Sequence, residues 1–234
     1  MQGKFLNAGQ TCVAPDYLFV PEAKVDNFIA AAKKSIAKRY PKLASKDYTS
    51  IIDEKSFARL NSALLDAEQK GASITSLMNG EVKDVASRKI APHVVTNTNG
   101  DMVLMQDEIF GPILPIKPYK DLDEAIAFIN EGERPLALYI FSNNKTVQNK
   151  IIKNTLSGGV CINETVLHAG QHDMPFGGVG NSGMGHYHGQ EGFNEFSKLR
   201  PIFKQFKYPA LPLLAPPYGK MFSTIYQLMI KLKL

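Results

Sequence analysis

The chain has 234 residues, of which 44% are hydrophobic, so it can bury the core of one large domain or two small ones. Lysine and arginine number 27 against 22 aspartate and glutamate, and the excess lies mainly in residues 33–46 and 198–233. We see no basic stripe interleaved with aromatic residues in this distribution, which argues against a nucleic-acid-binding protein.

The cysteine count and the two ends of the chain indicate a cytoplasmic protein. Cys12 and Cys161 cannot form a disulfide framework, and neither belongs to a CxxC metal pair. The first residues do not show the charged region followed by an apolar region that is typical of a secretory signal peptide. The most apolar part of the tail, residues 221–230, is shorter than the roughly 20 residues that span a bilayer. We therefore expect no transmembrane anchor.

The first half of the chain alternates between helix and strand patterns. Apolar residues recur at helical spacing from Val25 to Ile36, and again within residues 57–67. A strand is predicted over residues 72–78, and residues 102–105 also resemble a strand. This order of elements is typical of an α/β protein.

The second half continues the same pattern. Asp121 and Glu124 have the spacing of a capping box and predict a helix from Leu122. The apolar runs 137–141 and 160–162 predict two strands joined by a helix, which implies a parallel crossover. We predict an α/β fold with an open sheet and flanking helices over residues 1–200, followed by a Pro-rich, basic extension over residues 201–234 that includes an amphipathic helix.

Cys12 is the first candidate for chemistry. It follows the small and polar residues Gly9, Gln10 and Thr11, and a nucleophilic thiol in a turn that enters a helix would have backbone N–H groups beside it. Local composition alone favours the other interpretation, an inert buried thiol, because free cysteine is among the most buried residue types. Cys161 lies between Val160 and Ile162 and is expected in the core.

Glu108 and Phe110 are candidates for binding a sugar and a planar ring. A carboxylate can accept hydrogen bonds from vicinal hydroxyl groups, and an aromatic side chain can pack on a ring beside them. Local composition alone favours a surface glutamate at a turn.

Residues 175–185 contain many glycines, yet no apolar strand precedes them and no dinucleotide-binding unit follows. We interpret them as a close-packed loop whose glycines let backbone approach a substrate or another loop. The histidines nearby could be arranged as a metal site only with a helix between His168 and His172, which Gly170 argues against. We therefore predict no metal site.

These motifs together resemble the aldehyde dehydrogenase superfamily, in particular its class 3 branch. Residues 5–12 (FLNAGQTC) resemble the active-cysteine signature, residues 108–112 (EIFGP) the nicotinamide-ribose element, and residues 175–185 the glycine loop near the active site. Residues 135–142, 157–163 and 187–189 extend the resemblance, which runs from residue 1 to about 205.

The resemblance reverses the local interpretation of two residues. It implies that Cys12 is the nucleophile of an NAD- or NADP-dependent oxidation of an aldehyde to an acid, with its backbone N–H in the oxyanion hole. It also implies that Glu108 binds the nicotinamide ribose, with Phe110 packing nearby.

The length of the chain departs from the family. Members are about twice as long, and the resemblance places the dinucleotide-binding domain, the general base and an oxyanion-hole amide before the cysteine signature. We therefore expect this catalytic half to be nearly inactive alone, since one oxyanion donor is typically worth about 100- to 1,000-fold in rate. The alternative is a non-catalytic remnant that acts as a binding or assembly module.

The resemblance also suggests partners. Residues 208–220 are similar to the tail of bacterial coniferyl aldehyde dehydrogenases, which favours an aromatic or long-chain aldehyde, and the full-length form is expected to be a homodimer. Phe222, Ile225, Leu228, Met229 and Leu232 could form one apolar helix face beside lysines. Such a helix suits either peripheral contact with a membrane or docking on the dimer.

Overall fold

The computed structural model describes residues 1–209 and 211–233. By the density of its internal contacts the chain divides into two compact units, Met1–Phe196 and Ser197–Leu234.

The first unit alternates helices with short strands. Its helices are α1 (Gln2–Phe5), α2 (Val25–Arg39), α3 (Glu54–Gln69), α4 (Val103–Gln106), α5 (Leu122–Glu131), α6 (Lys145–Asn154) and α7 (Gly189–Glu195). Its strands are β1 (Leu18–Pro21), β2 (Ser73–Ser76), β3 (Lys83–Asp84), β4 (Lys89–Ile90), β5 (His93–Thr96), β6 (Ile113–Tyr119), β7 (Ala137–Ile140) and β8 (Gly159–Ile162). The second unit contains α8 (Lys220–Leu232).

The main sheet has four strands in the order β1-β6-β5-β2. β6 is central and runs parallel to both of its neighbours, β1 and β5, whereas β2 is antiparallel to β5. The strands β7 and β8 form a separate parallel pair around the α6 crossover, and β3 with β4 forms a small antiparallel pair. The α/β prediction is confirmed, including the parallel crossover.

The core lies between the four-stranded sheet and helices α2 and α3. Their apolar stripes supply fully or almost fully buried side chains, as the helical spacing in the sequence predicts. The sheet contributes strand residues that are also inaccessible to solvent. The members of this core include Ala32, Ile36, Leu60, Ala63, Val94, Val95, Ile113 and Ile116.

Two local predictions need correction. Residues 102–105 do not form a strand, because Val103–Gln106 is a helical turn that begins where the Asp66 carboxylate accepts the Val103 N–H at 2.9 Å. The capping box at α5 is also incomplete. Asp121 accepts from the N–H of Asp123, and Glu124 accepts from the N–H of Lys120, one residue before the cap.

None of the described helices is long and apolar enough to cross a membrane.

In the second unit a 3-10 turn, Leu211–Leu214, precedes α8, and the rings of Phe222 and Tyr226 on α8 are stacked with 5.7 Å between their centroids.

Candidate active site

Cys12 lies in a tight turn, with the Ala14 N–H donating to the Thr11 carbonyl at 3.0 Å, and its side chain is exposed. Helix α1 ends at Phe5, before the cysteine, and β1 is the strand that follows it. The expectation of a turn entering a helix is therefore wrong, and so is the buried thiol that local composition favours. The thiol lies on the surface of a supported turn.

The chain reaches this turn through three consecutive residues with positive φ. Asn7, Ala8 and Gly9 have φ values of 51°, 53° and 78°. At Gly9, a Cβ atom would lie 2.2 Å from the carbonyl oxygen of Gly111. Such a separation is far below van der Waals contact, so only glycine lets the segment before Cys12 pack on the segment after Glu108.

Gln10 fixes the other side of the turn. Its side-chain amide donates to the carbonyls of Asn7 and Ser50 and accepts the N–H of Ile52 at 2.9 Å. Asn7 returns a hydrogen bond from its own amide to the Gln10 carbonyl at 3.1 Å. The residue pair therefore fastens the cysteine loop to the chain before α3.

The Glu108 segment is held by its backbone rather than by its carboxylate. Arg59 on α3 donates to the carbonyls of Glu108 at 3.3 Å and Ile109 at 2.7 Å, and the Ile109 N–H donates to Asp16 at 3.1 Å. The Glu108 side chain is exposed, and Phe110 is 39% exposed with a φ of 47°. A carboxylate acceptor and a free aromatic face thus stand together, a combination that suits a ribose beside a planar ring.

Lys4 is a buried cation beneath the loop. It is 2% exposed, and its Nζ has no hydrogen-bond partner among the described residues. Burial lowers the pKa of Lys4 to about 8, although the charges of Asp16 and Glu108 favour the protonated form. Burial also raises the pKa of Asp16 and of Glu108, for which the neighbouring Asp16 charge is the second cause.

The buried lysine makes the stability of the fold depend on pH. Above pH 8 the folded chain releases the Lys4 proton, whereas the unfolded chain holds it to about pH 10.5, so the free energy of unfolding rises with pH in this window. We expect a gain of about 1–2 kcal/mol between roughly pH 7.5 and pH 9.5 in urea titrations. Lys4→Met should abolish this gain. The exposed control Lys34→Met should keep it, and an equal gain in both variants would contradict the assignment.

Tyr139 on β7 connects the parallel pair β7–β8 to the cysteine turn. Its hydroxyl donates to the Val13 carbonyl at 2.6 Å and accepts the Val166 N–H at 3.3 Å. Burial raises the pKa of Tyr139 to about 12, against the effect of the Val166 bond, so the hydroxyl remains a donor. Cys12 and Cys161 both lie close enough for their charges to contribute to this rise.

Cys161 is not in the core as the sequence suggests. It is only partly buried on β8, opposite Tyr139 in the register, and the next residue, Ile162, is 42% exposed. The pair β7–β8 stands apart from the four-stranded sheet. An apolar run therefore does not bury both faces here.

Tyr139 begins a group of aromatic rings in edge and tilted contact, which we call the aromatic cluster. Tyr139 contacts His168 at 5.8 Å between centroids, His168 contacts Phe176 at 5.8 Å, and Phe176 contacts Tyr187 at 5.6 Å. His188 closes the group at 4.4 Å from Tyr187. These rings join the turn of the cysteine to the glycine loop.

The glycine loop is close-packed, as the sequence predicts, and its backbone approaches itself. A Cβ on Gly177 would lie 2.1 Å from the Gly185 carbonyl oxygen, and one on Gly178 would lie 2.0 Å from that of Ser182. A bridge between Phe176 and Tyr187 holds the two ends of the loop together.

The histidines do not form a metal centre. Within residues 1–209 and 211–233, no group of three or more histidine, cysteine or acidic side chains is arranged to hold a metal ion. His168 is 8% exposed, both of its ring nitrogens lack hydrogen-bond partners in the described part of the chain, and burial lowers its pKa. It therefore acts as a packed, neutral ring in the aromatic cluster.

The structure thus brings the cysteine turn and the Glu108 segment together through Gly9 and Gly111. Sequence reasoning missed the residues that support them, namely Lys4, Asp16, Arg59 and Tyr139. Lys4 stands next to the apolar Phe5, and this neighbour is the one hint in the sequence that the lysine is buried. The partners of Arg59 and Tyr139 lie too far along the chain to be inferred.

Comparison with known proteins identifies this arrangement. The sequence model described as Aldehyde dehydrogenase family matches residues 1–202. The chain is 46% identical over 231 residues to a probable coniferyl aldehyde dehydrogenase of Pseudomonas aeruginosa, covering 98% of this chain and 48% of the relative. It is 44% identical over 200 residues to the dimeric NADP-preferring aldehyde dehydrogenase of Rattus norvegicus, covering 85% and 42%.

Solved structures of aldehyde dehydrogenases are also similar to the chain. The substrate-bound AldH of Staphylococcus aureus superposes with a TM-score of 0.82 at 40% identity, covering 97% of this chain and 49% of that one. A betaine aldehyde dehydrogenase of the same organism, solved with NAD⁺ and a modified cysteine, gives a TM-score of 0.73 at 26% identity over 83% and 40%. The chain spans about half the length of the curated relatives it matches. It belongs to the aldehyde dehydrogenase family.

Proposed function

We propose that this chain supplies the catalytic cysteine of an NAD- or NADP-dependent enzyme that oxidises an aldehyde to a carboxylic acid. One observation carries the proposal: the exposed Cys12 stands on a turn that Gly9 locks against the segment of Glu108. An exposed thiol on a fixed support, next to an acceptor for a sugar, is the arrangement that this reaction needs.

The reaction uses Cys12 in covalent catalysis. Its thiolate attacks the aldehyde carbon to give a tetrahedral thiohemiacetal, and the Cys12 backbone N–H stabilises the oxyanion. The oxyanion reforms a carbonyl as hydride leaves the thiohemiacetal carbon, and a bound nicotinamide cofactor would supply the hydride acceptor. The thioester left on Cys12 is then hydrolysed by water to the acid.

Glu108 and Phe110 are proposed to position the nicotinamide ribose. The carboxylate would accept hydrogen bonds from the vicinal ribose hydroxyls of a bound cofactor, and the Phe110 ring would pack nearby. Because Arg59 and Asp16 hold this segment by its backbone, the Glu108 carboxylate stays available for the ligand. Cofactor-bound relatives support either NAD or NADP.

The aromatic cluster favours an aromatic or long-chain aldehyde. Tyr139 contacts the turn of Cys12 directly, and the buried Phe176 ring packs against the exposed Tyr187 ring farther along the cluster. The names of the coniferyl aldehyde dehydrogenase relatives agree with an aromatic substrate.

We further propose that the domain of residues 1–200 is catalytic. We propose that the complete enzyme is a homodimer in the cytoplasm. Residues 201–234 are proposed to make peripheral contact with a membrane. The rat relative is named a dimeric enzyme. The 234 residues alone should have little activity, since most cofactor contacts of the family belong to a dinucleotide-binding domain. A non-catalytic assembly module is the alternative function.

The proposal is tested by measuring cofactor reduction with coniferyl aldehyde. The chain is assayed alone and together with the half of the Pseudomonas aeruginosa relative that it does not match. We expect reduced NAD or NADP to form only when both are present. If a folded, co-purifying pair gives no reduction with any aromatic or long-chain aldehyde, the assembly module becomes the better account.

A further inference from the structure

The second unit of the chain has a charge distribution of its own. Residues 197–234 contain seven lysines and arginines and no acidic residue, whereas residues 1–196 contain 20 basic and 22 acidic residues. We call the described part of this segment, residues 197–209 and 211–233, the basic arm. With no acidic residue in its sequence, the basic arm cannot neutralise its own cations.

The extended part of the basic arm alternates cations with large apolar side chains. Ile202, Phe203, Phe206 and Tyr208 are all more than 80% exposed, and cations stand before and between them. The expectation that no basic stretch is interleaved with aromatics is therefore wrong for this segment. The cations concerned are Lys198, Arg200, Lys204 and Lys207.

Helix α8 also carries both cations and large apolar side chains, and it places them on opposite faces. At about 100° per residue, Lys220, Thr224, Gln227 and Lys231 fall on one narrow polar face. The remaining circumference is mostly apolar and solvent-exposed, at fractions between 53% and 63% for its outer members. These are Met221, Tyr226, Leu228, Ile230 and Leu232.

We infer that the basic arm binds the surface of a membrane rich in anionic phospholipids, with its aromatic and aliphatic side chains inserted at the headgroup boundary. Helices with lysines on a polar face and bulky apolar residues opposite lie in the plane of such an interface. Since α8 has 13 residues, it is too short to span the bilayer and lies on its surface.

Charge argues against pairing of the arm with a second arm and favours an anionic surface. A second arm would bring seven more cations and no acid, so the two would repel, whereas an anionic lipid surface supplies the missing counter-charge. Each cation near such a surface strengthens binding by about fivefold.

The inference rests on the peripheral contact proposed above and not on aldehyde chemistry. Vesicle binding is measured without substrate or cofactor, so its failure leaves the proposed oxidation untouched, and the reverse also holds.

The test is sedimentation of the full chain with two kinds of vesicle. One is made of phosphatidylcholine alone, and the other of phosphatidylcholine and phosphatidylglycerol in equal amounts. We expect binding only to the anionic vesicles. The variant K198Q/R200Q/K204Q/K207Q should weaken it at least tenfold, whereas K33Q/K34Q/K38Q/K42Q, which removes the same charge from exposed lysines of the first unit, should not. Equal loss in both variants, equal binding to neutral vesicles, or no binding would overturn the inference.

A second readout locates the contact. The chain has no tryptophan, so Phe203→Trp is a unique reporter, and its emission should shift to the blue on anionic vesicles. Phe141→Trp, at a site 64% exposed in the first unit, should not shift. Two further results would overturn the inference: a shift at residue 141 alone, or tighter binding of a single-stranded oligonucleotide than of the vesicles.

Discussion

Cys12→Ser is expected to abolish cofactor reduction in the pair formed with the complementary half of a relative. A serine hydroxyl at the same place is a far weaker nucleophile than a thiolate, and removal of a covalent nucleophile typically lowers kcat by about 10⁴-fold or more. The turn itself should survive, because its hydrogen bonds involve Gln10, Asn7 and backbone atoms rather than the thiol.

Cys161→Ser is the matched control for this prediction. Cys161 lies on β8 near Tyr139 but is only partly exposed, and we give it no chemical role. Its replacement should leave kcat within about twofold, because a partly buried cysteine behaves mainly as a small apolar side chain. The account fails if Cys12→Ser retains most of the activity and Cys161→Ser does not.

Gly9→Ala is expected to have the largest effect on stability. The new Cβ would lie 2.2 Å from the Gly111 carbonyl oxygen and 3.1 Å from that of Lys4, and φ at Gly9 is +78°. Backbone strain contributes about 1–2 kcal/mol, and overpacking against fixed backbone adds at least about 1–3 kcal/mol. We therefore expect the free energy of unfolding in urea to fall by about 3 kcal/mol or more.

Gly80→Ala separates the clash from the strain. Gly80 has a similar φ of +89°, but no atom of the described residues lies within 4 Å of the place that a Cβ would take. Only the strain of about 1–2 kcal/mol therefore applies. If both variants lose the same stability, the contact between the Cys12 and Glu108 segments is not specific to glycine.

The sequence predicts most of the regular structure because that structure follows from local periodicity. Helices α2, α3 and α5 bury the stripes that their apolar spacing predicts, and β7 with β8 forms the expected parallel crossover. Residues 102–105 are the exception, since a distant carboxylate, Asp66, caps a helical turn in a segment whose composition suits a strand.

The site is less accessible to local reasoning. Composition alone places Cys12 in the core, whereas the neighbouring Gln10 and Gly9 fix its exposed turn by contacts with Ser50, Ile52 and Gly111, which are distant in sequence. Its match to the family signature reverses that interpretation. The same error occurs at Cys161, whose apolar neighbours suggest burial although it is only partly buried on the two-stranded β7–β8 pair.

The supporting network under the site could not be read from spacing. Lys4 and Asp16 are near Cys12 in the chain, but the Glu108 segment that they influence is more than 90 residues away. Tyr139 is 126 residues from the carbonyl it binds. Only tertiary structure shows that these separate segments converge on one turn.

The central claim is that Cys12 carries the acyl group of the reaction. It is tested most directly by quenching the reconstituted oxidation in acid and locating the acyl thioester by peptide mass spectrometry. The account predicts the added mass of the substrate acyl group on the peptide that contains Cys12, and its absence without cofactor. An acyl group on Cys161, or steady cofactor reduction with neither cysteine acylated, would contradict it.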